Sequence, residues 1–102
     1  MKDIKTCIEA CQACAITCQN CAAECVREGH KGCTLICLDC ADICALCVTL
    51  GARGSKYLED LCAVCVKVCK DCAAECEKHA AMHAHCKDCA YECNKCIEAC
   101  AK

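Results

Sequence analysis

Proline, phenylalanine and tryptophan are absent from this chain, and its only aromatic side chains besides histidine are two tyrosines. Without Phe or Trp, no large rigid ring is available to fill a core. No segment alternates apolar and polar residues over the length of a strand, so a sheet is excluded as the organising element. Basic clustering is missing as well: 12 Lys and Arg lie scattered among 14 Asp and Glu. That leaves neither the basic stripe of a nucleic-acid surface nor a polybasic membrane anchor. The opening residues, Met1-Lys2-Asp3-Ile4-Lys5, carry no apolar leader and no twin arginine, so the expected compartment is the cytoplasm. At 102 residues the chain is expected to be a single domain over residues 1–102, too short for two independent cores.

What the chain has instead is cysteine, 21 residues of it. Cys7, Cys11, Cys14, Cys18, Cys21 and Cys25 follow one another at steps of four, three, four, three and four. Alternating threes and fours are the a/d seam of an α-helix, so the thiols form a ribbon down one helical face. The rhythm returns in Cys33, Cys37, Cys40, Cys44 and Cys47, then in Cys62, Cys65, Cys69, Cys72 and Cys76, and last in Cys86, Cys89, Cys93, Cys96 and Cys100. Cys-x-x-Cys occurs eight times, two per segment, which makes the chain an internal repeat.

These segments predict an all-α fold, an antiparallel up-down-up-down four-helix bundle with a Cys-lined core and helices at about 3–28, 33–50, 55–79 and 84–101. Gly29 and Gly32 are expected to end the first helix, Gly51 and Gly54 to close the second, and Ser55 to cap the third. The segment from Glu77 to His85 has neither Gly nor Pro. The seam of the third helix would run on through His79 and His83 to Cys86, but the next step is three where the register requires four, which points to a turn within 79–84. The segment 33–52 is apolar enough to suggest a membrane span. Asp39 and Asp42 would each cost roughly 2.5–3.5 kcal/mol at a bilayer centre, so it is expected to be a bundle helix and no membrane is predicted.

Four kinds of chemistry compete for the thiols. A disulfide framework fails because the count is odd, the pairs crowd along one helix and no export signal is visible. A redox Cys-x-x-Cys belongs at a helix N-terminus next to a strand, not at eight mid-helix positions, so catalysis of thiol exchange is not expected and the chain is read as a non-enzyme. Packing alone would be served by alanine, which is chemically inert. Metal binding fits best, because thiolates three and four residues apart share a face and soft sulfur selects Cu(I), Zn(II) or iron–sulfur clusters. Zinc would close tetrahedral four-thiolate sites, about five in all. Cu(I) accepts two or three thiolates and lets each sulfur bridge two ions, giving roughly one ion per Cys.

The segments Cys37-Leu-Asp-Cys-Ala-Asp-Ile-Cys44-Ala-Leu-Cys47, Cys72-Ala-Ala-Glu-Cys76-Glu-Lys-His79 and His85-Cys86-Lys-Asp-Cys-Ala-Tyr-Glu-Cys93 resemble the cysteine-rich four-helix bundle copper storage proteins, in their cytosolic branch. The resemblance implies storage and buffering of many Cu(I) ions inside an already folded bundle, protection against copper toxicity, and assembly as a homotetramer. The alternative is a metallothionein-like sponge for Zn(II) or soft metals in general.

An up-down-up-down bundle places its first and third connections at the same end. His30 then lies beside His79, Met82, His83 and His85, an end whose imidazoles and thioether are weaker Cu(I) donors than thiolate and form a candidate mouth. His79 and His83 are the favoured ligands there and His30 the least favoured. Leu35, Leu38, Ile43 and Leu46 of the second helix, with Leu61, Val64 and Val68 of the third, predict a homo-oligomer interface. The remaining partners expected are copper ions and a copper chaperone or efflux pump, with no nucleic acid.

Overall fold

The computed structural model describes residues 3–101. Among them run four helices, α1 (Ile4–Glu28), α2 (Lys31–Ala52), α3 (Leu58–Glu77) and α4 (Ala84–Cys100), and no strand. α1 starts at Asp3, whose extended backbone lets its carboxylate accept from the Thr6 amide at 2.7 Å and the Thr6 hydroxyl at 2.8 Å. It ends at Gly29, held at φ 76°, a left-handed conformation that any side chain would strain.

That single residue turns the chain so sharply that α2 begins at Lys31, two residues ahead of the expected Cys33. The His30 carbonyl already accepts from the Thr34 amide at 3.0 Å and from its hydroxyl at 2.9 Å. Gly32 therefore lies inside α2 and terminates nothing. Ser55 is a second correction. Its hydroxyl accepts from the Tyr57 amide at 3.1 Å and its carbonyl from the Leu58 amide at 3.2 Å, closing a turn, so α3 starts at Leu58 without a side-chain cap. The 78–83 link needs neither Gly nor Pro because it tightens α3 by i→i+3 bonds, His79 to Cys76 at 3.0 Å and Met82 to His79 at 3.1 Å.

Each helix packs against two neighbours, and no Cα of α1 comes within 8 Å of α3, nor any of α2 within 8 Å of α4. The result is a square bundle 39 Å long and 17–18 Å across. Its centre holds all 21 cysteines, with Leu58 and one alanine directly after a seam cysteine on each helix: Ala22, Ala41, Ala73 and Ala90. No polar or charged side chain is buried among the described residues. The larger aliphatics form a collar around the sulfur, Ile36, Ile43, Leu61 and Val68 among them. α2 has the length and hydropathy to cross a membrane, yet its five cysteines are all committed to this core.

Ile8 packs over Gly51, where an added Cβ would lie 2.8 Å from Ile8 Cγ1 and 2.9 Å from Cδ1. Overpacking outweighs the helix-propensity gain so close to a helix end. Gly51→Ala is expected to lower the stability of the reduced protein to chemical denaturation by about 1 kcal/mol. Trimming Ile8 to Ala in the same chain should cancel the interaction; a strictly additive double mutant would contradict the contact.

Candidate metal centre

The seam positions dictated by the three–four spacing point all the thiols at one axis, and the square packing lets them meet across it. Neighbouring helices supply pairs such as Cys44–Cys65 at 3.7 Å and Cys18–Cys89 at 3.6 Å. Diagonal helices, whose backbones do not touch, still bring Cys21 to Cys76 and Cys37 to Cys89 at 3.9 Å. Every cysteine carries a free thiol.

Several sets of four sulfurs have all members within 4.8 Å of one another. Cys11, Cys44, Cys65 and Cys96 form one, Cys14, Cys44, Cys69 and Cys96 the next, and Cys14, Cys40, Cys69 and Cys93 a third, each set with one residue from every helix. Cys18, Cys72, Cys89 and Cys93 follow, then Cys21, Cys37, Cys76 and Cys89. A tetrahedral zinc site with Zn–S near 2.3 Å has sulfur edges of about 3.8 Å, so the spacing alone would suit zinc. The overlap limits how many such sites can close. Cys14, Cys44, Cys69, Cys89, Cys93 and Cys96 each belong to two sets, and these sets cannot all be closed at once by discrete four-coordinate ions. Sulfurs that bridge can serve all of them.

The thiols at the ends of the column are governed mainly by loss of water. Burial pushes Cys33 up to about 11, and Cys62 and Cys86 up to about 12. Where several thiols crowd one sulfur the neighbours take over. Cys21 is held well below the ordinary thiol range by the S–H groups of Cys37, Cys76 and Cys89, which donate to its thiolate. Close thiols thus set one another's protonation, and Cys21 in turn pushes Cys76 up.

At the end bearing the α1–α2 and α3–α4 connections, the histidines do converge. The rings of His30 and His79 lie 4.3 Å apart, His30 and His83 5.3 Å, and His83 and His85 5.5 Å. His85 reaches the thiols, with Nδ1 3.3 Å from Cys21 Sγ and 3.5 Å from Cys86 Sγ. Its Nε2 donates to Glu28 at 2.9 Å, and the same carboxylate lies 2.9 Å from His83 Nδ1. His79 is held by Glu75 at 3.3 Å. Met82 stands apart, 85 % exposed on the outside of the turn. His30, the least favoured from sequence, touches two other rings, as His83 does, and its Nδ1 is buried without a partner. Glu28 was missed because a charged residue in the last turn of a helix reads as solvated; only a His-rich loop packed against it could have marked it.

An open cleft of about 380 Å³ beside this end is lined by Cys25, Val26, Gly29, Lys31, Thr34 and Leu35. The opposite end is also approached from outside. A groove of about 540 Å³ between α3 and α4 has Cys62 and Cys100 in its wall, but no histidine or methionine.

The whole chain, residues 1–102, matches the family model described as copper storage protein. A cysteine-rich protein of Bacillus subtilis, YhjQ, is 39% identical over 100 residues, covering 94% of this chain and 91% of that protein. The Cu(I)-bound copper storage protein BsCsp3 superposes with a TM-score of 0.89 at 39% identity, over 94% of this chain and 92% of that one. A cytosolic copper storage protein from Streptomyces lividans, solved during copper loading with five coppers, gives a TM-score of 0.89 at 34% identity, over 95% and 88% of the two chains.

His85 has a consequence for pH. Burial lowers its pKa, but the facing Cys21 and the Glu28 carboxylate outweigh burial and raise it above the ordinary 6.5. The charged imidazole is therefore favoured in the fold. Its stabilising contribution is complete below the unfolded value and lost as pH rises through the folded one. Replacing Glu28 by Gln should move the His85 midpoint down in an NMR titration of the reduced protein; an unmoved midpoint would remove Glu28 as a cause.

Proposed function

The chain belongs to the copper storage protein family, and on that premise we propose that it stores and buffers Cu(I) in the cytoplasm, with roughly one ion on each of its 21 thiols. The overlap of the four-thiol sets carries this reading: a sulfur that belongs to two sets is used fully only when it bridges two ions. Each thiol that binds releases its proton, so filling the column neutralises the charge of the incoming Cu(I) and no counter-ion has to follow it into a core without polar side chains. Buried, equivalent sites without an open coordination position suit holding rather than turnover, and the chain acts as a store, not an enzyme. Holding copper on buried sulfur keeps it away from other cytoplasmic thiols, which is protection against its toxicity.

Uptake runs through the histidine end. Met82 is the outermost soft donor, His79 and His83 lie behind it, and His85 faces Cys21 and Cys86 at the top of the column. A copper chaperone or an efflux pump is the partner class that would deliver or receive the ion there.

The bundle assembles into a homo-oligomer, a tetramer by analogy with the cytosolic members. Exposed Leu35, Leu38 and Leu46 of α2 and Val64 of α3 support it, while Ile43, Leu61 and Val68 are occupied by their own core. Sedimentation should show a mass above one chain that Leu38→Glu with Leu46→Glu reduces; a monomeric parent protein would sink the assembly.

Anaerobic titration of the reduced protein tests the store. The expected Cu(I) end point is near the cysteine count, about twenty ions, against about five for a protein built for tetrahedral zinc. Saturation at five equivalents of Zn(II) with poor Cu(I) uptake would favour the zinc sponge instead. Changing His79, Met82, His83 and His85 together to Ala should slow uptake and leave the capacity of the 21 thiols nearly intact. Equal rates would remove the mouth and not the store.

A further inference from the structure

The two ends of the thiol column differ in what a departing ion meets. At the histidine end it passes from thiolate to imidazole and thioether, each a weaker hold on Cu(I) than the sulfur it leaves. That gradient favours filling and opposes emptying. Withdrawal by a small molecule therefore calls for a competing thiolate brought directly against the column, and the groove between α3 and α4 is a place where one fits.

Its volume of about 540 Å³ is that of a small-molecule site, and Cys62 and Cys100 stand in its wall. These are the two most accessible cysteines, each 2 % exposed, where every other is at 0 or 1 %. Sulfur joins both to the interior. Cys7 Sγ lies 2.7 Å from Cys100 Sγ and 3.6 Å from Cys62 Sγ, and Cys100 is 3.5 Å from Cys11. Cys11 belongs to the four-sulfur set with Cys44, Cys65 and Cys96, so an ion taken at the groove can be replaced from the column behind it.

The rest of the wall selects the charge of the ligand. Lys67 and Lys70, three residues apart on one face of α3, are exposed in it, and neither ammonium is in an ion pair among the described residues. Glu59, the carboxylate in the same wall, belongs to the first turn of α3, about two turns from Lys67. The thiols are thus flanked by paired positive charge on the side away from the helix start.

We propose that this groove binds a small thiol bearing carboxylates, and that Cu(I) is withdrawn from the column there. The carboxylates pair with Lys67 and Lys70 while the thiol sulfur attacks an ion held by Cys62 or Cys100. A Cu–S bond to the incoming sulfur forms as the bond to the cysteine Sγ breaks. The freed cysteine thiolate takes the proton of the incoming thiol, and copper stays Cu(I) throughout. The inference rests on the copper-storage reading and adds to it the class of molecule that empties the store, by a route separate from exchange with a protein partner at the histidine end.

The probes are mercaptosuccinate, a thiol with two carboxylates, and neutral 2-mercaptoethanol. Protein filled anaerobically with Cu(I), until no thiol reacts with a colorimetric thiol reagent, is mixed with each at equal thiolate concentration, and the copper left on the protein is followed after desalting. Mercaptosuccinate should empty it about tenfold faster. Lys67→Gln with Lys70→Gln should remove most of that advantage and leave the 2-mercaptoethanol rate unchanged. Lys31→Gln with Lys87→Gln, the same loss of charge at the histidine end, should keep it. Equal rates for the two thiols, an advantage that survives the Lys67 and Lys70 changes, or one that falls equally with the Lys31 and Lys87 changes would each overturn the groove. A protein that cannot be filled to the thiol-free starting point counts against copper storage instead, so the two readings fail separately.

Discussion

Everything in this bundle depends on the size of the thiol side chain at a seam position. Leucine in an a/d seam keeps helices apart and fills the space between them with carbon. Cysteine, helped by alanine directly after a seam cysteine on every helix, lets four helices stand close enough for sulfur to meet sulfur across the diagonal, as Cys21 and Cys76 do at 3.9 Å. The sulfur atoms then cease to be four separate ribbons and become one column, in which a given thiol has partners above and below as well as across.

That arrangement removes from the core the large apolar groups that usually stabilise a small domain. The aliphatic residues are displaced rather than lost. Ile36, Ile43, Leu61 and Val68 pack around the sulfur as a collar, and Leu35, Leu38 and Leu46 remain on the outside. The same displacement that makes room for metal thus supplies an apolar exterior for self-association. The tight fit at Gly51 under Ile8 shows that the collar packs closely even though the centre is built of small groups.

Polarity along the bundle comes from its connections. The two-residue turn at Gly29 and the tightened 78–83 link fall at one end and bring four imidazoles and two carboxylates together above the column. At the opposite end the groove between α3 and α4 has thiols in its wall and, among the described residues, no histidine or methionine. One end is therefore chemically graded, from exposed thioether through imidazole to thiolate, and the other is not. Glu28 joins the two halves of the graded end, since it holds both His83 and His85.

The sequence by itself determined the helical seams, their number, the inward direction of all 21 thiols and the meeting of His30 with the 79–85 segment, because each follows from the 3.6-residue period and from antiparallel connectivity. Helix ends were less legible. Ser55 and Gly32 have the residue types of a cap and a stop, but backbone hydrogen bonds from neighbouring residues decide what they do. Only the tertiary structure decided which thiols share a four-sulfur set, that the sets overlap, that Glu28 bridges two histidines and that Met82 faces outward. The reason is physical: periodicity specifies the direction in which a side chain leaves its own helix, whereas distances between side chains on different helices depend on the axial stagger and separation of the helices, which packing alone sets.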